Sequence, residues 1–312
     1  MTIRRAALLS VAFANFTAIL AAQDTAAPDL REQLRATARG NIITLPVRLG
    51  SLPSLAFVLD SGASSVILNE RLVRQQGLAM GEARVSSGAG SDSCRVHLFP
   101  ESGVSVAGVH LQTQPIVAPL QHLETFVDTQ INGIVDGELF RKHAVAMDFN
   151  LHKASVLDEP VDASPTDVVI PLQSSGSLCC ILEAKVRIGS HGTRVRFLLD
   201  TGALAFEVVL SRAFAQRAGF LPDAIADPIR LPTFCAESSI VHLSKHGEVL
   251  LMRGNETGLT AAGVVVFAAL DQEGSLSGRD FDGVIGSEMI RKLGKIVIFD
   301  APHHRLLLRK AN

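Results

Sequence analysis

The segment FVLDSGA at residues 57–63 indicates how the chain folds, because FLLDTGA at residues 197–203 repeats it. In each segment three apolar residues precede an aspartate, Asp60 or Asp200, and a glycine follows two positions later. A short apolar run is typical of a strand buried on both faces, and Asp-Ser-Gly or Asp-Thr-Gly is typical of the tight turn that ends it. The sequence therefore predicts two equivalent strand ends that together form a paired acidic site.

A longer repeat surrounds these two segments. Each aspartate follows a strand, a turn and a returning strand, and each precedes a short helix. The side chains of Asn69 and Ser211 suit the N-caps of these helices, and Gly77 and Gly219 are suited to end them. We therefore predict one short helix after each acidic turn.

Two further blocks complete each copy. Residues 132–142 correspond to 282–292, and each block combines a short apolar strand with a brief helix that carries Arg-Lys. Two apolar strands follow in each copy, at residues 145–157 and 296–308. Because four blocks recur in the same order with similar gaps, the sequence predicts an internal duplication rather than a chance similarity of β-rich segments.

The repeat and the local composition divide the chain into segments. Residues 158–167 are polar, contain two prolines and lack apolar periodicity, which is typical of a linker. Residues 28–40 have the pattern of a short polar helix that Gly40 ends. We predict five segments: a signal peptide at 1–22, an N-terminal arm at 23–40, a first lobe at 41–158, a linker at 159–168 and a second lobe at 169–312.

The N-terminus has the pattern of an export signal. Arg4 and Arg5 precede an apolar segment at residues 6–20, and a polar stretch begins at Gln23. The apolar segment is too short and ends too abruptly to favour a membrane span. A buried N-terminal helix, which is the alternative, would alternate polar and apolar faces. We therefore predict an exported protein, periplasmic or secreted, without stable membrane insertion.

Composition narrows the classes of function. The 312 residues are 47% hydrophobic and 19% charged, which is typical of a globular protein with more than one core. The formal net charge is −2, and no basic cluster with interleaved aromatic residues is present, so we do not expect nucleic acid as a partner. The sequence contains no Tyr and no Trp, so any role of a phenol or an indole has to be filled differently.

The four cysteines suit an exported protein. They allow three full disulfide pairings, which the sequence does not rank. The adjacent Cys179 and Cys180 lie in an apolar run without a His or acidic ligand at metal spacing, and are predicted to be buried thiols. The other two, Cys94 and Cys235, lie 34 and 35 residues after Asp60 and Asp200.

Histidines and serines offer rival chemistries. His242 and His246 are four residues apart, but they lack the glutamate of a zinc hydrolase helix and lie in a region that favours strand and loop. The adjacent pair His303 and His304 is a second candidate for a metal or acid-base role. No Gly-x-Ser-x-Gly segment indicates a serine nucleophile. We predict neither a metal site nor a cofactor.

A facing pair of carboxylates has a chemistry of its own. Asp60 and Asp200 cannot both ionise at low cost, so one holds a proton while the other is charged. The charged carboxylate can take a proton from a water that attacks a carbonyl carbon, and the protonated one can donate a hydrogen bond to the carbonyl oxygen. The pair therefore suits hydrolysis of a carbonyl compound.

The turns after Asp60 and Asp200, at residues 60–63 and 200–203, resemble those of the retropepsin-like and pepsin-like aspartic proteases. The resemblance extends over most of residues 41–310 and is greatest to the bacterial type with both lobes on one chain. It implies a mainly β fold of two homologous closed β-barrel lobes with short helices, related by a pseudo-twofold axis, with a cleft between them. It also implies an aspartic endopeptidase that needs no cofactor and takes an extended peptide or protein substrate; we expect a monomer.

The resemblance assigns roles to individual residues. Asp60 and Asp200 would be catalytic, and the turn residues that would support this dyad are Ser61, Gly62, Thr201 and Gly202. The hydroxyls could bond across to the opposite strand, and the glycines would bring backbone N–H groups close to the carboxylates.

The stretches at residues 85–94 and 233–239 are rich in glycine or serine and are candidate hairpins over the cleft. Within the first, Gly88, Ala89 and Gly90 are the candidate flap. Flexible surface loops are the alternative interpretation.

Several residues depart from the family pattern. Ala63 and Ala203 lack the hydroxyl that pepsin-like enzymes place there, so we predict a weakly acidic pH optimum. Asp136 stands where the second copy has Gly286, and residues 204–206 are apolar where the first copy has serines. The alternative function is therefore a catalytically weak or inactive protein of the same fold that binds extended peptides.

Overall fold

The structure is a computed structural model. It describes residues 34–309 except 38–39, 51, 89–92, 101–102, 107, 128, 136, 149–152, 158–159, 205, 223–227, 236 and 271–280. The predicted signal peptide, most of the predicted arm, and Ala89, Gly90 and Asp136 lie outside the described residues. As the sequence predicts, the described part is mainly β, with sheets of ten, eight and five strands and five short α-helices. No helix in this part is long and apolar enough to cross a membrane.

Residues 34–157, here called the first half, contain the ten-stranded sheet. Its strands are β1 (Leu34–Thr37), β2 (Gly40–Leu49), β3 (Leu55–Leu59), β4 (Ile67–Asn69), β5 (Ala83–Ser87), β6 (Ser93–Leu98), β7 (Val104–Val106), β8 (Val109–Leu111), β9 (Ile116–Ala118) and β10 (Gly133–Val135). The helices of this half are α1 (Glu70–Gln75), α2 (Gln121–Val127) and α3 (Gly137–Lys142).

Residues 168–309, the second half, contain the eight-stranded sheet. Its strands are β14 (Gln173–Ser175), β15 (Leu178–Ile188), β16 (His191–Leu199), β17 (Val208–Leu210), β18 (Ile229–Pro232), β19 (Glu237–Arg253), β20 (Glu256–Ala269) and β21 (Gly283–Ile285). The helices are α4 (Arg212–Arg217) and α5 (Ser287–Leu293). The five-stranded sheet combines both halves through β11 (Ala144–Asp148), β12 (Lys153–Leu157), β13 (Val168–Pro171), β22 (Ile296–Asp300) and β23 (Arg305–Arg309).

The two large sheets repeat one strand order, as the duplicated sequence predicts. The order β5-β6-β9-β4-β10-β3-β2 in the first half matches β18-β19-β20-β17-β21-β16-β15 in the second. The directions match too, because β10 and β21 each run parallel to the strand before the acidic turn and antiparallel to the strand after it. In the second half β15, at one end of that order, also pairs with β19, the second strand from the other end.

The short helices that follow the acidic turns begin and end where the sequence predicts. The side chain of Asn69 accepts a hydrogen bond from the Arg71 amide (3.0 Å), and Ser211 Oγ accepts one from the Phe214 amide (3.2 Å), so each satisfies an amide that the first helical turn leaves open. Gly77 and Gly219 have φ of 62° and 68°, a left-handed conformation that glycine adopts without steric cost.

The five-stranded sheet joins the halves. β11 and β22 are antiparallel neighbours, with Val145 opposite Phe299. Between β12 and β13, residues 160–167 contain neither strand nor helix, and Arg309 Nε donates a hydrogen bond to Asp167 (3.0 Å), which ties this connection to β23.

The predicted helix at residues 28–40 is wrong where the structure describes it. Leu34–Thr37 form strand β1, which pairs antiparallel with β2, and Gly40 begins β2 instead of ending a helix. A short polar helix is only marginally stable alone, whereas the adjacent edge of β2 offers hydrogen-bond partners to the backbone groups of β1 that face it.

Candidate active site

Each of the two aspartates stands at the end of a buried strand. Asp60 follows β3 and its amide donates to Val135 O (3.0 Å) in the parallel neighbour β10. Asp200 follows β16 and its amide donates to Ile285 O (3.0 Å) in β21. Because a parallel strand supports each backbone, the two carboxyl groups leave their strands in equivalent directions.

Ser61 and Thr201 connect the two acidic turns by four reciprocal hydrogen bonds. Ser61 Oγ donates to Leu199 O (2.7 Å) and accepts from the Thr201 amide (3.0 Å). Thr201 Oγ1 donates to Leu59 O (2.8 Å) and accepts from the Ser61 amide (3.0 Å). These are the bonds to the opposite strand that the sequence predicts for the two hydroxyls. Both side chains are fully buried, so loss of either hydroxyl would leave unpaired polar groups away from water.

Gly62 and Gly202 let the two turns approach each other. A Cβ atom on Gly62 would lie 2.5 Å from Asp200 Oδ2, and one on Gly202 would lie 2.3 Å from Asp60 Cγ. These separations are far below van der Waals contact, so no other residue fits at either position without a shift of the opposite carboxyl. Each carboxyl group therefore lies directly against the turn of the other half.

Backbone amides support the two carboxylates almost equally. Asp60 Oδ1 accepts from the amides of Gly62 (2.8 Å) and Ala63 (3.0 Å). Asp200 Oδ1 accepts from the two equivalent amides, both at 2.9 Å. Hydrogen bonds of this kind favour the charged form of either aspartate. They therefore do not determine which of the two carries a proton.

Burial raises the pKa of both aspartates. Burial, then the charge of Asp200 and a hydrogen bond with it, raise the pKa of Asp60 well above its ordinary value. Burial also raises the pKa of Asp200, although the hydrogen bond from Asp60 and the two turn amides lower it in part. The two carboxyl groups therefore share one proton, and the larger rise in the pKa of Asp60 favours the state in which Asp60 donates a hydrogen bond to a charged Asp200. Both side chains remain partly exposed to the space above them.

A cavity of about 430 Å³ lies above the pair and is lined by both halves. Its two sides are built from apolar residues at equivalent positions of the repeat: Val58, Ile67 and Ile134 on one side, and Leu198, Val209 and Val284 on the other. Since the walls are apolar and the floor holds the two carboxyl groups, the cavity suits a ligand with apolar groups on either side of one polar centre.

The two sides of the cavity are not equivalent everywhere. Leu204, from the second half, packs against the apolar cluster of the first half, and Phe206 packs against the cluster of its own half. The equivalent residues of the first half, Ser64 and Ser65, also line the cavity and are polar. The structure therefore has the asymmetry around the acidic turns that the sequence indicates.

Two hairpins, one from each half, cover the cavity. β5 pairs antiparallel with β6 and β18 with β19, which confirms both predicted hairpins. Gly88 is buried and lines the cavity, whereas the other two predicted flap residues, Ala89 and Gly90, lie outside the described residues.

A disulfide joins Cys94 to Cys235 and so links the two hairpins. Sequence left this pairing open; the one available signal was the matching distance of the two cysteines from the aspartates.

Among the described residues, neither Cys179, Cys180 nor any histidine lines the cavity above the two aspartates. Cys179 and Cys180 are buried as predicted, with sulfur atoms 2.9 Å apart. His303 Nδ1 lies 2.6 Å from an oxygen of the buried Asp300, and the His242 ring packs edge-on against Phe267. Within the described ranges no group of three or more His, Cys, Asp or Glu side chains could hold a metal ion.

Phe234 is one of the cavity residues that the sequence did not indicate. It belongs to the second-half hairpin but packs against the first-half apolar cluster, and it lines the cavity. Beside it, His122 Nε2 donates a hydrogen bond to Thr233 O (2.7 Å), so α2 of the first half also contacts this hairpin. Neither contact has a local signal in the sequence, because both depend on how the halves are placed.

Comparison with known proteins finds likeness at the level of structure alone. No protein-family model matches the sequence, and no curated protein matches it. One solved structure with a similar backbone is that of conglutin gamma, a basic 7S globulin from lupine seeds. It is 13% identical, with a TM-score of 0.45 over 90% of this chain and 94% of that chain.

Proposed function

We propose that this protein is an aspartic endopeptidase, in which Asp60 and Asp200 activate a water for hydrolysis of a peptide bond. The observation that carries the proposal is the pair of carboxyl groups at the floor of a shared cavity, each lying against the turn of the other half. Structural ion pairs hold a carboxylate next to a cation, whereas here two buried acids face each other at a stability cost. Such a cost is typical of a catalytic site.

The chemistry assigns different tasks to the two acids. Charged Asp200 takes a proton from water as the water oxygen bonds to the peptide carbonyl carbon, and Asp60 gives its proton to the carbonyl oxygen. The resulting gem-diol is neutral. Asp200 then gives its proton to the amide nitrogen as the C–N bond breaks, and one gem-diol hydroxyl returns a proton to Asp60, so the pair regains its starting state.

The fold supports the proposal in finer detail. The repeated strand order supports two homologous lobes of the retropepsin-like type, and the pairing of β15 with β19 supports closure of the second lobe. We propose that these lobes are residues 41–158 and 169–312, joined by the linker at 159–168. The enzyme would be an exported monomer that binds an extended peptide and needs no cofactor.

A cleavage assay with an unstructured protein substrate tests the proposal. Wild type is compared with Asp60→Asn and Asp200→Asn, each with and without a statine peptide, whose hydroxyl mimics the gem-diol. Each substitution should lower kcat by at least ~10³-fold, because it removes a proton transfer. Glu256→Gln is the control, because the Glu256 carboxylate is exposed and its ion pair with Arg253 is long, at 3.7 Å. Cleavage that survives both Asp→Asn changes would overturn the dyad mechanism.

Peptide binding without hydrolysis is the second candidate. It is favoured by Leu204 and Phe234, which reach from the second half to the apolar cluster of the first and narrow the cavity. Calorimetric titration with the statine peptide separates the two candidates. Tight binding with no cleavage of the corresponding peptide by wild type would favour the binding protein.

A further inference from the structure

We propose that the Cys94–Cys235 disulfide makes the cavity a closed ring, through which a polypeptide must be threaded by a free end. The substrate class would then be chain termini and open-ended flexible chains, and a loop between two folded domains would be excluded. This inference rests on the proposed function, because it concerns the access of peptide to the same cavity.

The ring has a floor, two sides and a roof. The floor is the set of four hydrogen bonds between Ser61, Thr201 and the opposite strands. The sides are the covalent chain from 61 to 94 and from 201 to 235. The roof is the disulfide between the ends of these two segments. Residues at the floor and beneath the roof line one cavity, so the ring surrounds it.

Contacts beside the disulfide hold the two hairpins together. A Cβ atom on Gly88 would lie 3.1 Å from the Cys235 amide nitrogen, so the backbones of the hairpins are nearly in contact there. Phe234 packs on the first-half cluster, and Thr233 accepts the hydrogen bond from His122. The roof is therefore packed as well as bonded.

A covalent roof differs from a flap held by weak contacts. Hydrogen-bonded flaps open on the microsecond to millisecond scale and admit a loop from above. A disulfide opens only by thiol exchange, so without a thiol the ring stays closed through every thermal fluctuation. Lateral entry of a chain end is then the remaining route to Asp60 and Asp200.

Size decides what can pass. An extended chain has a cross-section of about 5 by 10 Å, as judged by the spacing of strands and sheets. A folded domain of about 100 residues has a radius of gyration of about 13 Å, so it is much wider than the chain. A cavity of about 430 Å³ accommodates a few extended residues and no folded domain.

Three ligands built on one statine peptide test the ring. The first has two free ends, the second carries a small folded domain at one end, and the third carries such a domain at both ends. Association rates are measured by stopped-flow anisotropy with full-length wild type and with Cys94→Ser/Cys235→Ser. Because the ligands are not cleaved, the readout is independent of hydrolysis.

With wild type, the doubly blocked ligand should associate at least ~100-fold more slowly than the singly blocked one, a larger gap than domain diffusion produces. In the double variant this ratio should fall to within about threefold, since the roof can part. Dithiothreitol, which reduces the disulfide to two thiols and becomes a cyclic disulfide itself, should lower the ratio in wild type. It should leave the ratio of the double variant unchanged, which controls for other effects of the reductant.

The outcomes separate the two proposals. Equal association of all three ligands with oxidised wild type overturns the ring, whatever the variant does, and leaves dyad hydrolysis standing. Threading without any cleavage of the linear peptide overturns the proposed hydrolysis and leaves the ring standing. If no ligand associates, peptide is not what the cavity takes and both proposals fall. The wild-type comparison suffices even if the double variant does not fold.

Discussion

Ser61 and Thr201 are 140 positions apart in sequence, and each hydroxyl bonds to both the backbone of the other turn and the strand that precedes it. The two halves therefore contact each other at the floor of the cavity through hydrogen bonds. Because hydrogen bonds are directional and apolar contacts are not, these bonds fix the position of one turn relative to the other. The relative position of Asp60 and Asp200 depends on this exchange of hydrogen bonds.

Removal of one hydroxyl should destabilise the protein and impair catalysis together. Thr201→Val leaves the Ser61 amide and Leu59 O without their buried partner, which should lower the free energy of unfolding by about 2–4 kcal/mol. Thr201→Ser keeps the hydroxyl and is the matched control. Urea unfolding and steady-state kinetics check this, with a larger fall in kcat than rise in KM expected. A Val variant as stable as the Ser variant would contradict it.

Gly62→Ala should nearly abolish activity, because its Cβ would displace the Asp200 carboxyl from the productive position. We expect at least ~10²-fold loss in kcat, the effect of about 1 Å of misplacement. Gly77→Ala is the control: Gly77 has φ of 62° and nothing within 4 Å of its added Cβ. It should lower stability by about 1 kcal/mol with activity retained. Equal kcat of both alanine variants would argue against the close approach.

Asp60→Asn should raise stability at pH 7. The pKa of Asp60 is raised in the folded protein, so between the ordinary pKa of about 3.9 and the raised value the folded state binds more protons than the unfolded state. The contribution of Asp60 to the free energy of unfolding is then full at low pH and is lost as pH rises through the pKa of the folded state. Removal of the charge should raise Tm at pH 7 by roughly 2–4 °C, with the gain absent at pH 3. Thermal unfolding of wild type and variant at pH 7 and pH 3 measures the change in Tm. A higher Tm of the variant at pH 3 but not at pH 7 would contradict a raised pKa of Asp60.

The pH–rate profile should be bell-shaped with a weakly acidic optimum. In the proposed mechanism activity requires a charged Asp200, whose pKa burial raises, so the acid limb should lie above the ordinary aspartate pKa. It also requires a protonated Asp60, so activity should be lost on the alkaline side as that proton leaves. Measurement of kcat/KM from pH 2 to 8 checks both limbs. An optimum near pH 2 to 3 would contradict the raised pKa values of the two aspartates.

Glu138→Gln should destabilise the protein in a pH-dependent way. Burial alone would raise the Glu138 pKa, but hydrogen bonds from Lys142, Thr113 and the Gln112 amide lower it to about 2. The unfolded state then binds more protons between about pH 4.5 and 2, so this stability is full above that window and is lost as pH falls through it. We expect a loss on the order of 2–3 kcal/mol at pH 7.

Glu288→Gln is the matched control for that substitution. Glu288 occupies the equivalent position in α5, where its side chain is partly exposed and pairs with Arg291 (2.9 Å). Exposed pairs contribute about 0–1 kcal/mol, so the control should change stability little. Denaturant unfolding of both variants at pH 7 and pH 3 provides the comparison. Similar losses in the free energy of unfolding for the two variants would contradict the predicted contribution of Glu138.

Sequence predicted the parts of the site that depend on short segments. The Asp-Ser-Gly and Asp-Thr-Gly turns, the helix caps and the hairpins follow from local backbone preferences, and the duplication indicates which of them correspond. The Cys94–Cys235 pairing and the position of Phe234 depend on contacts between the halves, which no local pattern encodes. The prediction of a helix at Leu34–Thr37 was wrong for the same reason, because pairing with the edge of β2 outweighs a weak helical preference.

The antiparallel pairing of β11 with β22 has a consequence for how the site responds to dilution. If the halves were separate polypeptides, formation of the Val145–Phe299 contact and of the acidic pair would be a bimolecular association. Its rate and its extent would then fall as the protein is diluted. On one chain each edge is held near the other at an effective concentration in the millimolar range, as with any short tether. The specific activity of this protein should therefore be constant down to nanomolar enzyme.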